Sequence, residues 1–145
     1  MNLLKEEIND RNFVQELIPQ KAPFAMVDAL YFFSEEKITA GLTVSPDNIF
    51  TEQDVFTAPG VIEHMAQTVA LYTGYQYFLL QKEAPTGYIG SIKKVEIFEL
   101  PKLQDSLKTT ATIIAEFMGV TMVKISCECN GKIIAESEMK TVLAS

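Results

Sequence analysis

Residues 59–82 read PGVIEHMAQTVALYTGYQYFLLQK, and the way this stretch folds decides the rest of the chain. No second proline interrupts it, so at ~1.5 Å per residue it makes a helix of about 36 Å. Pro59 suits the first turn, where a missing N–H is no loss. Val61, Ile62, Met65, Ala66, Val69, Ala70, Leu71, Phe78 and Leu79 cover most of the circumference. A helix that is apolar nearly all round has to be wrapped by other structure rather than laid on a surface.

The flanking segments provide the wrapping. After Ala84 the chain is strand-like in four runs, GYIGSIKKVEIFEL, SLKTTATIIAEFMG, TMVKISCECNG and KIIAESEMKTVLAS. Val123, Ile125 and Cys127 alternate with Lys124, Ser126 and Glu128, and Asn130-Gly131 is a type I′ hairpin signal. Before the helix, residues 9–17 place Phe13, Val14 and Leu17 on one side of a short amphipathic helix that begins near Asp10 and stops at Pro19. Two β-favouring runs follow Pro23, with Ser34-Glu35-Glu36-Lys37 as their turn. Residues 45–56, SPDNIFTEQDVF, show neither period and read as a loop over the surface or over a site. The fold class is α+β: a long central helix wrapped by a curved antiparallel sheet, usually completed by a second copy.

Length and composition bound the function. At 145 residues with 48% hydrophobic side chains, the chain is one folded domain spanning 1–145, with no repeat or linker. A net charge of −7 and a pI near 4.7 have the wrong sign for nucleic acid. Lys5, Glu6, Glu7 and Asp10 occupy the place where an export signal needs an apolar core, and no apolar run reaches the ~20 residues of a membrane span. The expectation is a soluble, cytoplasmic protein. Cys127 and Cys129 share one strand face, too close in sequence for an ordinary disulfide loop. They read as small interior residues of a reducing compartment, and with no further Cys and the one His far away no metal site is expected.

The chemistry concentrates at Glu63 and His64. A carboxylate on so apolar a helix must be hydrogen-bonded, neutralised or open to a cleft. Adjacent helix positions diverge by about 100°, so Glu63 and His64 cannot enter one pocket of the same subunit. Gln67 lies one turn beyond Glu63 on its face, and Thr68 one turn beyond His64. The entrance Pro59-Gly60-Val61 offers free backbone N–H groups at the positive end of the dipole, suited to polarising a carbonyl oxygen. Tyr72, Tyr75, Tyr77 and Phe78 read as core or interface.

Together these residues resemble a family. LIPQKAPFAMVDAL is similar to the L-P-H-R-x-P-F-x-x-V-D opening of the 3-hydroxyacyl-(acyl carrier protein) dehydratases of fatty acid synthesis, and PGVIEHMAQTVA to their P-G-V-L-x-x-E-A-M-A-Q helix. GYIGSIKKVEIF, DSLKTTATI and GKIIAESEM follow in the order of their remaining strands. The short spacing from Pro-Gly to Glu63 is nearest the dehydratase-like subgroup of aryl polyene and pigment synthesis. The resemblance implies the hotdog fold, a homodimer or higher homo-oligomer with an acyl tunnel between subunits, acyl carrier protein as partner, and no cofactor. It implies elimination of water from a 3-hydroxyacyl thioester to the trans-2-enoyl product, with Glu63 exchanging a proton at the 3-hydroxyl. Gly60 is then the backbone donor to the thioester oxygen, with Val61, Gln67 and Gln20 beside the substrate.

Two departures stand out. The family's Gly-His-Phe-Pro-Gly loop corresponds to IFTEQDVFTAPG, which has no histidine, and the histidine of the opening motif is replaced by Gln20. Glutamine cannot take a proton from carbon 2 at neutral pH, which leaves His64 as the candidate base. A catalytically degenerate hotdog protein that binds acyl groups or partners an active dehydratase is the alternative reading, and an acyl thioesterase using Glu63 to activate water is a further one. Lys21, Lys93, Lys94 and Lys102 are the candidate basic patch for an acidic carrier protein.

Overall fold

The computed structural model describes residues 1–143. The short helix forms as α1, Arg11–Glu16, with the Asp10 carboxylate accepting from the N–H groups of Asn12 and Phe13 as its N-cap. Strands β1, Ala29–Phe33, and β2, Lys37–Thr43, follow, and then the central helix α2, Ala58–Leu79. Helix α2 stops three residues short of Lys82 although no glycine marks the end. Gln81 adopts a left-handed φ of 56°, and the N–H groups of Gln81 and Lys82 return to the carbonyls of Phe78 and Tyr77.

Residues 45–56 depart from the expected loop. They contain a miniature hairpin, β3, Thr51–Glu52, and β4, Val55–Phe56, turned by Gln53 and Asp54, both at positive φ. Its two-residue strands are too short to leave any periodic signal, and it is held from outside, Phe56 N–H donating to the Pro101 carbonyl. The segment after Pro23 also departs: residues 24–28 are irregular, and the strand begins at Ala29.

The C-terminal half forms β5, Gly87–Ile97, β6, Ser106–Phe117, β7, Val120–Cys129, and β8, Lys132–Leu143. Asn130 and Gly131 have φ of 55° and 76°, the paired positive values of a type I′ turn. The sheet is antiparallel throughout, in the order β1-β2-β6-β7-β8-β5. Helix α2 lies against it, burying Val61, Met65 and Leu71 among Ile38, Ile125 and Met139. This is the wrapped-helix, hotdog arrangement. No helix of the described residues is long and apolar enough to cross a membrane.

The two sheet edges are treated differently. Residues 1–8 strap the β1 edge, with Leu3 N–H bonding the Phe33 carbonyl and Ile8 and Leu30 exchanging both bonds. Among the described residues no strand pairs with the outer edge of β5. Ile89, Ile92, Val95 and Ile97 of β5 stand opposite Thr141, Met139, Ser137 and Ala135 and so share the face turned to α2. Yet Ile89 and Ile92 remain 39% and 42% exposed.

Gly74 shows how closely α2 meets the segment after α1: a Cβ there would collide with the Leu17 carbonyl, which as backbone cannot give way. Gly74→Ala is expected to destabilise the fold by about 1–3 kcal/mol through overpacking, read as a lowered urea midpoint with unchanged slope.

Candidate active site

The site is organised around the irregular segment 24–28, in which the Phe24 carbonyl and the N–H and carbonyl of Met26 are answered by side chains of α2. Gln67, 1% exposed, accepts from the Met26 N–H at 2.5 Å through Oε1. Its Nε2 donates to the Phe24 carbonyl at 2.9 Å and to Glu63 Oε2 at 2.7 Å. Both amide protons are thereby committed, which fixes the amide's orientation and one oxygen of Glu63 as an acceptor. Glu63 lies on the wall of a cleft of about 220 Å³ with Gln20, Ala66 and Ala70, lined also by Tyr88 and Ile89 of β5. A second cavity of about 210 Å³ shares Val69, Thr73, Thr141 and Leu143 with the first and continues beneath the C-terminal half of α2.

His64 points the other way, as the 100° divergence requires. The ring is fully buried, with Nδ1 2.7 Å from the Met26 carbonyl and Nε2 2.8 Å from Thr109 Oγ1. A carbonyl only accepts, so Nδ1 carries the proton and Nε2 accepts from the threonine hydroxyl. Burial lowers the imidazole pKa to about 4, outweighing the bond to the Met26 carbonyl. The expectation that His64 could stand in for the missing base therefore meets a ring with no free nitrogen and no outlet to the cleft. Its observed contacts clasp the Met26 peptide from the carbonyl side while Gln67 holds the N–H.

The helix entrance is also only partly as expected. Thr57, the N-cap, makes no side-chain cap bond, because its hydroxyl and N–H both go to the Phe50 carbonyl, at 2.8 and 3.0 Å. Gly60 sits in the first turn beneath Phe50 and Phe56, where a Cβ would come within 2.7 Å of both side chains. Val61 is not free: its N–H donates to the Thr57 carbonyl at 3.1 Å and its side chain is fully buried. Neither Gly60 nor Val61 lines the cleft. The structure thus brings Glu63, Gln67 and Gln20 together and leaves His64 and Val61 in the core.

Among the candidate lysines, Lys21 is occupied, its Nζ donating to the Gln15 and Ile18 carbonyls at 2.8 Å each. Lys94 pairs with Glu96 at 2.9 Å on the exposed edge strand. Burial pushes the free thiols of Cys127 and Cys129 up to about 11, so neither is a nucleophile at neutral pH. Among the described residues no group of three His, Cys, Asp or Glu side chains converges as metal ligands would. Sequence reasoning missed Met26, Phe24 and Thr109. The first two act through backbone groups, which leave no side-chain signal, and Thr109 is one inward threonine among several in β6.

The sequence profile of the ApeP-like family, described as ApeP dehydratase, matches residues 13–144. The chain is 29% identical to 3-hydroxyacyl-(acyl-carrier-protein) dehydratase FabZ of Clostridium botulinum (strain Okra / Type B1) over 148 residues, covering 95% of this chain and 98% of that protein. It is 25% identical to FabZ of Aliivibrio fischeri over 133 residues, covering 88% of each. Among solved structures it is similar to a chain of the dehydratase heterocomplex ApeI:P from Xenorhabdus doucetiae, with a TM-score of 0.84, 17% identity and 91% of each chain covered; that likeness concerns the fold.

The buried imidazole has a signature in stability. Its folded pKa of about 4 lies below the ordinary 6.5, so the unfolded chain takes up the proton first as pH falls. The stabilisation present above pH 6.5 is lost on the way down to about 4, and amounts to about 3 kcal/mol. Urea unfolding across that range should show this loss, reduced in His64→Gln.

Proposed function

Because the chain belongs to the ApeP-like dehydratase family, we propose that it takes part in eliminating water from 3-hydroxyacyl thioesters of acyl carrier protein, yielding the trans-2-enoyl thioester, in cytoplasmic fatty acid or polyene-type synthesis. The observation that carries this reading is the Glu63 carboxylate, held by Gln67 on the wall of a cleft lined by small helix residues. Gln67 occupies Oε2, which leaves Oε1 to exchange the proton. In the reaction a base removes the C2 proton, the electron pair forms the C2=C3 bond, and the C3–O bond breaks. Glu63, as the acid, delivers its proton to the departing hydroxyl, which leaves as water, and regains one from the base through solvent. The family resemblance assigns the thioester oxygen to the Gly60 N–H, but Gly60 lies buried beneath Phe50 and Phe56 and outside the cleft, so the reading rests on Glu63 and not on that donor. Val69 and Thr73 lead from the Glu63 cleft towards the adjoining cavity, giving the acyl tail a path.

The C2 base is the missing part. His64 has neither a free nitrogen nor a suitable pKa. A homodimer would bring only a second, equally occupied His64. The reading favoured is therefore that a histidine-bearing homologue adds along β5, where the bare edge and its half-exposed isoleucines invite strand addition. That the similar solved structure is described as a dehydratase heterocomplex supports this choice.

The test is conversion of a 3-hydroxyacyl-acyl carrier protein to the enoyl product, followed by mass spectrometry, with the chain alone and with a FabZ-type homologue. Product should appear or rise with the homologue, and Glu63→Gln should lower the rate by about 10²–10⁴-fold. No product under either condition would reject the reading. Gln67→Leu, acting through Glu63, should lower kcat with little change in KM. Ile92→Glu, which sets a charge on the apolar edge, should abolish subunit association in analytical ultracentrifugation.

A further inference from the structure

The cleft beside Glu63 and the cavity beyond it lie end to end along one stripe of α2. Ala66, Ala70 and Thr73 follow Glu63 on the wall of the first, and Thr73, Gln76 and Tyr77 continue along the second, at three- and four-residue steps. The two spaces meet at a waist of Val69, Thr73, Thr141 and Leu143, which line both. At ~1.5 Å per residue the waist begins about 9–15 Å along the helix from Glu63. The lining changes character there. On the Glu63 side the stripe is alanine, and the loop after α1 adds Leu17 and Pro19. On the far side lies a cross-strand row, Thr141 of β8 opposite Thr121 of β7, and Thr121 opposite Glu116 of β6, with Thr73 and Gln76 of the helix lining the same space. Among the described residues these five side chains make no hydrogen bond within the protein, unlike Thr68 of the same helix, whose hydroxyl returns to the His64 carbonyl at 2.9 Å. Their bonding capacity is left to water.

We infer that the waist is a length selector: Thr73, Thr121 and Thr141 make this chain hold acyl tails that end before the waist and gain nothing from saturated tails that cross it. The inference rests on the dehydratase reading for the acyl nature of the ligand. Each methylene buried in an apolar groove raises affinity about fourfold. A polar group stripped of water with no partner in return lowers affinity about ten- to hundredfold, as much as two or three methylenes give. A saturated tail in the far cavity has no hydrogen bond to offer the threonines, Gln76 or Glu116, so its methylenes only offset what those groups lose. Room is not the limit, since the space continues past the waist for about 210 Å³. Its polarity sets the limit.

The test is a calorimetric titration of the chain with octanoyl- and octadecanoyl-coenzyme A below their micelle concentrations. Both carry the pantetheine arm, neither can be dehydrated, and only the longer chain, extended, runs past the waist. The two should bind within about tenfold of each other, whereas ten more methylenes in a uniformly apolar groove would give on the order of a millionfold. In Thr73→Val/Thr121→Val, which keeps the side-chain shapes and removes two hydroxyls, the octadecanoyl thioester should gain at least about tenfold while the octanoyl thioester is unchanged. Thr73→Ser/Thr121→Ser retains the hydroxyls and should keep the pattern of the unmodified chain, thermal unfolding showing that each variant is folded. An octadecanoyl thioester that binds the unmodified chain more than about tenfold tighter overturns the inference. So does binding of neither ligand, or a valine variant that tightens both alike or neither. Length selection without Glu63-dependent turnover of 3-hydroxyoctanoyl-acyl carrier protein in the presence of the homologue would sink the dehydratase reading and leave the selector standing. Glu63-dependent turnover with equal kcat/KM for 3-hydroxyoctanoyl and 3-hydroxyoctadecanoyl carrier proteins would do the reverse.

Discussion

One irregular peptide governs the arrangement of this molecule. Met26 lies in a stretch that joins no strand, yet it is packed against the most apolar helix of the chain, where an unanswered N–H or C=O is costly. Two side chains of α2 answer it, Gln67 from one side and His64 from the other. Because Gln67 must present its oxygen to Met26, its nitrogen is left facing Phe24 and Glu63. The orientation of the acid is therefore a by-product of burying a loop, and the same bonds that close the core set up the cleft.

This arrangement separates two residues that adjacency in sequence would join. Glu63 keeps contact with the cleft, while His64 gives up its proton chemistry to serve as a neutral bracket between Met26 and Thr109. A histidine with both nitrogens bonded and a pKa near 4 specifies structure rather than reactivity. On the proposed reading Glu63 is a positioned acid whose matching base comes from a partner, and the asymmetry between the strapped β1 edge and the open β5 edge favours addition at β5.

Much of this is legible in the sequence, for reasons of period. The central helix, the Asn130-Gly131 hairpin and the inward alternation of β7 are local patterns repeated over many residues, and the divergence of Glu63 from His64 follows from helix geometry alone. What the sequence conceals is held by distant or backbone partners. The β3–β4 hairpin has two residues per strand and depends on Pro101 and Lys102 for support. The end of α2 rests on Gln81 in a conformation for which glycine is the usual marker. Nothing in the spelling of residues 24–26 foretells that their peptides will be read by Gln67 and His64, some forty positions on.

The open β5 strand has a consequence for how the protein is made. Alternate residues among its eleven turn their N–H and C=O groups outward beside exposed isoleucines, with no proline to break the row. On a solitary chain such a border is a template for promiscuous stacking into insoluble polymer. On the proposed reading, in which a homologue covers that border, chains made in surplus of it would be the first to precipitate.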